Sequence, residues 1–223
     1  MKSRMSFLVA PLAITILVLG ILAFPTRVSR SSTRLVKPPD MPLNQLLPIA
    51  SGDINKFWGQ SFYASRLRYT TPTMVYYIQP VQTPCGMAVM NNAFYCSASN
   101  TIYYDYNFMA QMYSQIGDYA AVSILAHEWG HLVQTQLGIA RGGSFSIQME
   151  LQADCFSGAY TQYAERMKEL DPGDLEEAGV GLFKGGDAIG MPWFAPGAHG
   201  TAMQRINAFL QGYNNGPQKC VGR

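Results

Sequence analysis

The pattern of apolar and polar residues divides the chain into a small β-rich part and a longer helical part. Apolar residues recur at helical spacing over 52–66, which predicts a helix there. Two segments rich in aromatic and β-branched residues, TMVYYIQP at 73–80 and NTIYYDY at 100–106, predict strands. Further helices are predicted over 107–116, 118–138, 145–170, 174–190 and 201–212. A little sheet followed by helices indicates an α+β domain.

An uncharged apolar segment near the N-terminus differs from the rest of the chain. Residues 7–24, FLVAPLAITILVLGILAF, would form a helix about 27 Å long, close to the thickness of a bilayer's hydrocarbon core. The segment is either a transmembrane anchor or a signal peptide that is removed. It is long for a signal peptide and no clean A-x-A site follows, so we favour a transmembrane helix within 1–24. A basic, proline-bearing linker over 25–42 and one domain over 43–223 are expected to follow.

Composition supports a globular domain and argues against a nucleic-acid partner. Hydrophobic residues make up 48% of the chain and charged residues 13%, so a sizeable core can be buried. The net charge is only +2, and no basic run stands beside aromatic residues. We therefore expect no nucleic acid among the partners.

The cysteines bear on the compartment in which the domain works. Cys85 and Cys96 lie in the turn-rich stretch PCGMAVMNNAFYC and predict a disulfide-closed loop, with free thiols in a cytosolic protein as the alternative. Basic residues over 27–37 would, by the positive-inside rule, keep the domain in the cytoplasm. We give the cysteines more weight and expect a membrane-anchored, extracytoplasmic domain, or a secreted one if the leader is cleaved. Whether Cys155 pairs with Cys220 stays open.

The stretch AHEWGHLVQT at 126–135 carries the strongest chemical signal. His127 and His131 lie four residues apart, with Glu128 beside the first. On an α-helix such positions are about 40° apart around the axis, so both imidazoles project from one face and can bind one zinc ion. Glu128 is rotated about 100° from His127, which places its carboxylate beside the metal, where it can take a proton from zinc-bound water.

A catalytic zinc needs one more protein ligand. His199 is a candidate, but Glu150 is the better one, because a turn between two helices would bring it back alongside His127. Asp154, one helical turn after Glu150, can accept the outer N–H of a ligating histidine. The alternative for Glu150 is a surface glutamate. Its apolar neighbours instead indicate a buried helix, in which a carboxylate needs a partner.

Several separate motifs resemble one family. HEWGH, followed by ELQADCFSG and then HGTAMQR, is similar to the bacterial neutral zinc metallopeptidases, which are membrane-associated, gluzincin-type proteins. The upstream residues of CG…FYC…IYYD fit the same family, and the resemblance covers roughly 50–212. It implies a zinc cofactor, His127, His131 and Glu150 as its ligands, and Glu128 as the catalytic base. The resemblance does not imply a substrate.

Two further expectations follow from the resemblance. Gluzincins bind an extended peptide along a strand before the active-site helix, and NTIYYDY is either that strand or an ordinary sheet strand. Similar gluzincins also place a histidine–arginine element near the metal, as HGTAMQR would. We therefore expect His199 to stabilise the oxyanion and Arg205 to pair with a buried carboxylate such as Asp154. The alternative is a helix-capping region with a solvent-facing histidine.

Two functions of different classes remain in view. The first is a zinc-dependent peptidase acting on a peptide or protein substrate, and it is the one we favour. The second is a membrane-tethered zinc-binding module without catalytic activity. Structural zinc sites often use cysteine ligands, and no cysteine is spaced to join the two histidines. A zinc hydrolase acting on another kind of bond is a third, less favoured reading.

Overall fold

The computed structural model describes residues 41–139, 146–188 and 197–221. These residues fall in one compact unit that spans Leu35–Arg223. In chain order the elements are α1 (Leu43–Ala64), β1 (Thr73–Tyr77), β2 (Val81–Thr83), β3 (Gly86–Ala88), β4 (Ala93–Cys96), β5 (Thr101–Asp105), α2 (Tyr106–Gln115), α3 (Asp118–Gln136), α4 (Ser146–Met167), α5 (Asp174–Lys184), α6 (Ala202–Asn215) and the 3₁₀ turn η1 (Pro217–Lys219).

The sheet part is small and consists of two pieces. Strands β1, β5 and β4 form a three-stranded sheet in that order, with β1 parallel and β4 antiparallel to β5. Strands β2 and β3 form a separate hairpin. The expected Cys85–Cys96 disulfide is present and ties the turn of this hairpin to the end of β4. The uncharged segment between the two predicted strands therefore contains the hairpin of β2 and β3, which a disulfide joins to the edge strand β4.

The sheet order favours the second of the two interpretations of NTIYYDY, an ordinary sheet strand, over a strand that binds a peptide. That segment forms β5, whose two edges are already paired with β1 and β4. A central strand has no free backbone edge, so an incoming peptide cannot hydrogen-bond to it. The free edge next to the helical part belongs to β4, a four-residue strand that the sequence pattern did not reveal.

The helical part forms one core in which α3 is the most deeply buried element. Apolar side chains of α1, α3 and α4 pack together, and the largest that are almost fully enclosed are Leu47, Ile54, Leu125, Trp129, Leu132 and Phe156. Helix α1 begins at Leu43, nine residues before the predicted start. The proline at position 48 obscured this first part in the sequence. Burial of Leu43, Leu47 and Ala50 on one face favours the helix despite that proline.

The predicted fold included a transmembrane helix, and this part of the prediction is corrected. Among residues 41–139, 146–188 and 197–221, no helix is both long enough and apolar enough to cross a membrane. Helices α1, α3 and α4 are long enough, but the polar and charged residues along each make it too polar to cross a membrane. Over the described residues the fold is therefore α+β, with a small sheet and a helical core, and it includes no membrane-spanning helix. Segment 7–24 and residues 25–40 of the linker lie outside the described residues.

Helices α4 and α6 cross at very short range because glycines stand at the contact. A Cβ atom on Gly158 would overlap the backbone carbonyl oxygen of Phe209, and one on Gly212 would overlap that of Cys155. Neither backbone can give way without moving a whole helix. The two glycines therefore set the distance at which α6 lies against α4.

We expect Gly158→Ala to destabilise the fold by about 2–3 kcal/mol, because the added methyl group forces α4 and α6 apart. Unfolding in urea would measure the loss. Gly179→Ala is the matched control, since no atom lies within 4 Å of a Cβ built at that helical glycine. The control should be neutral or stabilising by about 0.5–1 kcal/mol. Equal stabilities of the two variants would contradict the close crossing.

Candidate metal centre

Helix α3 presents the two histidines of the H-E-x-x-H motif on one face. The Nε2 atoms of His127 and His131 lie 3.2 Å apart, and the two rings are almost perpendicular, at 89°. His127 is buried at 8% exposure, and the side chain of His131 is 22% exposed. The face of α3 that carries these nitrogen atoms borders a cleft rather than the apolar core.

Helix α4 brings Glu150 to the two histidines. Its Oε2 atom is 3.2 Å from His127 Nε2, and its Oε1 atom is 3.4 Å from His131 Nε2. The approach depends on Gly130 of α3, where a Cβ atom would lie 2.7 Å from the Cα of Ala153. The absence of a side chain at position 130 thus lets α4 pack close enough for Glu150 to reach across.

The outer nitrogen of each imidazole has its own acceptor. His127 Nδ1 lies 2.8 Å from Asp154 Oδ1, and His131 Nδ1 lies 3.0 Å from Gln134 Oε1. The amide nitrogen of Gln134 donates to two oxygen atoms of α4, which turns its oxygen towards His131. Because Nδ1 of each ring faces an acceptor, Nε2 is the nitrogen that faces the site and is left to bind a metal.

This donor set fits a zinc ion. Two imidazole nitrogens and a carboxylate converge with 3.2–3.4 Å between them, and each is a hydrogen-bond acceptor in its ordinary state. Bonds of about 2.0–2.1 Å to zinc place neighbouring ligand atoms of a tetrahedron about 3.3–3.4 Å apart. Two histidines and one carboxylate are also a donor set of catalytic zinc sites, in which the fourth position is left to water.

Protons compete with a metal for these atoms. Burial alone would lower the pKa of His127, but the carboxylates of Asp154 and Glu150 outweigh it and raise that pKa to about 10. Burial would raise the pKa of Glu150, but hydrogen bonds and charge from the two histidines hold it well below its usual range. The cluster therefore attracts positive charge strongly, and a metal ion must displace a proton to bind.

Glu128 lies beside the cluster of His127, His131 and Glu150 and is held by the sheet. Its side chain is buried, and its Oε2 atom accepts the backbone N–H of Tyr95 in β4 at 2.9 Å. Burial raises the pKa of Glu128, although His131 and His127 act in the opposite direction. A carboxylate with a raised pKa accepts a proton more readily than one exposed to water.

Asp154 joins the site to α6 through a buried ion pair. Arg205 donates from Nε and Nη2 to its two oxygen atoms, both at 2.8 Å, and from Nη1 to the carbonyl oxygen of Gly185 at 2.9 Å. Asp154 is 0% exposed. One carboxylate thus contacts both His127 and Arg205, as the sequence interpretation expected.

His199 lies on the wall of the same cleft but outside the cluster. Its ring is about half exposed, at 51%, and its Nδ1 atom is 3.6 Å from Asp187 Oδ1. The other Asp187 oxygen accepts the backbone N–H groups of His199 and Gly200, both at 2.7 Å. The loop that carries His199 is therefore anchored, and its ring remains available to the cleft.

The cleft has a volume of about 800 Å³, large enough for a short peptide segment. One wall consists of the edge of β4 and residues near it, and the other is formed by α5 and the loop before α6. Side chains that line it besides the cluster include Phe94, Tyr95, Phe108, Met112, Ile124 and Lys184.

A second group of acidic side chains has a structural role. Carboxylate oxygens of Asp118, Asp174 and Glu177 come within 4.8 Å of one another. Glu177 accepts the backbone N–H of Tyr119 at the start of α3, and Asp174 accepts that of Asp171. These hydrogen bonds cap backbone groups at the ends of α3 and α5.

Sequence reasoning missed two residues that contact the cluster and one crosslink near it. Gln134 follows His131 by three residues on the same helical face. That spacing could have predicted a contact between the two side chains. Tyr95 contacts Glu128 through its backbone, and such a contact leaves no trace in the sequence. Cys155 and Cys220 form a second disulfide, which the sequence had left undecided.

Comparisons with known proteins agree with the motifs. A family model described as "Putative neutral zinc metallopeptidase" matches residues 23–222. "Uncharacterized protein YpfJ" of Escherichia coli (strain K12) is 32% identical over 220 residues, which cover 86% of this chain and 75% of that protein. "Uncharacterized protein Rv2575" of Mycobacterium tuberculosis is 32% identical over 182 residues, 68% of this chain and 62% of that protein. No solved structure matches the chain.

Proposed function

Because the chain belongs to the family of neutral zinc metallopeptidases, we propose that it is a zinc-dependent peptidase that hydrolyses peptide bonds in peptide or protein substrates. One observation carries the proposal. His127, His131 and Glu150 converge at ligand distances on an open cleft, and the buried carboxylate of Glu128 lies beside them. A site built only to hold a metal would have no use for that second carboxylate.

In this proposal the two histidines and Glu150 hold the zinc ion, and Asp154 and Gln134 fix the orientation of the imidazole rings. When bound, zinc lowers the pKa of a coordinated water towards neutrality and polarises a carbonyl group. Arg205 forms a bidentate ion pair with Asp154 and balances its charge in the interior.

Glu128 acts as the general base. Its Oε2 atom is engaged by the Tyr95 N–H, which fixes the carboxylate and leaves Oε1 to accept a proton from the attacking water. The same oxygen then delivers that proton to the leaving amine. Burial, which raises the pKa of this carboxyl, favours the protonated form that the second step requires.

The edge of β4 is where an extended substrate would bind. The N–H of Tyr95 points away from β5 towards Glu128, so the backbone groups of Ala93 and Tyr95 face outward in the antiparallel pattern. A peptide that pairs with the remaining groups would run past the metal ligands. This assignment replaces the one made for NTIYYDY.

Removal of metal tests the proposal directly. We expect the purified protein to contain about one zinc ion per chain and to cleave members of a peptide library. A chelator should abolish cleavage, and added zinc should restore it. Zinc analysis and mass spectrometry of the digest would measure both. Bound zinc without cleavage of any peptide would favour the non-catalytic zinc module instead.

We expect His199→Ala to lower kcat by about 10²-fold while zinc content is unchanged, because the exposed ring would stabilise the oxyanion that forms during attack. Initial rates on the best library peptide and zinc analysis would measure the effect. Met203→Ala, at an exposed position near the start of α6, is the control and should keep full activity. A His199→Ala variant with full activity would end this assignment.

The two disulfides support an extracytoplasmic location for the domain. All four cysteines of the chain are paired, as Cys85–Cys96 and Cys155–Cys220. Disulfides persist in oxidising compartments and are rare in the cytosol. We therefore propose that the domain works outside the cytoplasm.

A further inference from the structure

A continuous chain of hydrogen bonds runs from a metal-ligand histidine to the C-terminal segment. His131 Nδ1 lies 3.0 Å from Gln134 Oε1, and Gln134 Nε2 donates to Gln152 Oε1 at 3.1 Å. Gln152 Nε2 in turn donates to the backbone carbonyl oxygen of Cys220 at 2.8 Å. Cys220 is bonded covalently to Cys155, one helical turn beyond Gln152 on α4.

Both polar atoms of the Gln134 side chain, its oxygen and its amide nitrogen, are hydrogen-bonded. The residue is 0% exposed, its oxygen faces His131, and its amide nitrogen donates both to Gln152 and to the carbonyl oxygen of Met149 at 2.6 Å. A buried amide with all its groups paired holds one orientation, because any rotation would leave a donor or acceptor unsatisfied. Its oxygen therefore stays directed at His131.

We propose that Gln134 and Gln152 are positioning residues that anchor His131 to the C-terminal segment, so that the Cys155–Cys220 disulfide helps to hold the metal ligand in place. The inference rests on the proposed zinc site. It adds an account of which residues hold the His131 side chain in place. His127 is held independently, by Asp154 and Arg205. The two ligands of one helix thus depend on different parts of the fold.

The test is the zinc affinity of the full chain, measured by competition with a coloured chelator. Gln134→Leu is expected to weaken zinc binding about 10–100-fold, since outer partners of ligating histidines typically have effects of that size. Gln136→Leu is the matched control, because it removes hydrogen bonds of the same kind, to the backbone of Thr70, away from the cleft. The control should bind zinc as the wild type does.

A double-mutant cycle separates positioning from general stability. Gln152→Leu, in a partly exposed position, should weaken zinc binding about 3–10-fold, and the pair Cys155→Ala with Cys220→Ala should do likewise. Combining all three changes should cost less than the sum of the two separate losses, because both disturb the hydrogen bond from Gln152 to the Cys220 carbonyl group. Cobalt substitution should show a shifted visible spectrum in Gln134→Leu but not in Gln136→Leu.

Two results would overturn the proposal. One is a Gln134→Leu protein that binds zinc as tightly as Gln136→Leu and has the wild-type cobalt spectrum. The other is full additivity of Gln152→Leu with the cysteine pair, which would show that the two act separately. Wild-type protein without zinc affinity would instead refute the proposed function itself, so the two failures are distinguishable.

Discussion

A Glu128→Gln variant is expected to bind zinc normally and to hydrolyse peptides about 10³-fold more slowly than the wild type. The amide keeps the size of the side chain, and its oxygen can still accept the Tyr95 N–H. It cannot take a proton from water or return one to the leaving amine. The loss should therefore appear in kcat, with little change in zinc content or fold.

The measurement pairs steady-state kinetics on a library-derived peptide with zinc analysis of the same preparation. Glu176→Gln, an exposed change of the same chemistry on α5, is the control and should keep full activity. Hydrolysis at the wild-type rate by Glu128→Gln would rule out this carboxylate as the base. A variant that loses zinc as well would assign Glu128 to metal binding rather than to proton transfer.

We expect Arg205→Met to lower the free energy of unfolding by about 3–5 kcal/mol. The substitution removes three hydrogen bonds and leaves Asp154, which is 0% exposed, with His127 as its remaining ionisable partner. An uncompensated carboxylate in the interior is costly. The ion pair also tethers α6 to α4, so the loss should be accompanied by weaker packing of α6.

Chemical denaturation of the oxidised protein would measure this loss, with unfolding followed by tryptophan fluorescence. Arg166→Met, an exposed substitution near the end of α4, is the control and should change stability by less than about 0.5 kcal/mol. Equal stabilities of the two variants would contradict the buried ion pair. Asp154→Asn combined with Arg205→Met should recover part of the loss, since it removes the unpaired charge.

The cluster of Glu150 with the two histidines could be predicted because its geometry is largely local. His127 and His131 are one turn apart on a single helix, and periodicity alone places them on one face. Glu150 lies on the next helix along the chain, so one reversal of direction suffices to bring it back. The nearby position of Asp154 on that helix was enough to predict its contact with His127.

Features that depend on distant parts of the chain were not predictable in this way. Strand β4 is four residues long, and only its pairing with β5 and its hydrogen bond to Glu128 make it an edge of the cleft. The early start of α1 depends on burial against α3, which outweighs the local effect of Pro48. The Cys155–Cys220 bond joins residues 65 positions apart. The predicted fold that included a transmembrane helix is corrected, since no helix over 41–139, 146–188 and 197–221 is long and apolar enough to cross a membrane.

The close crossing of α4 and α6 limits what a protein engineer could transplant. A graft of the H-E-x-x-H helix alone would carry two ligands but neither Glu150 nor the partner of His127. Adding α4 supplies both, yet it brings in the charge of Asp154 and therefore requires Arg205 from α6. Because Gly158 and Gly212 fix the spacing of those two helices, the smallest unit that carries Glu150, both histidines and the partner of His127 is the three-helix set α3, α4 and α6.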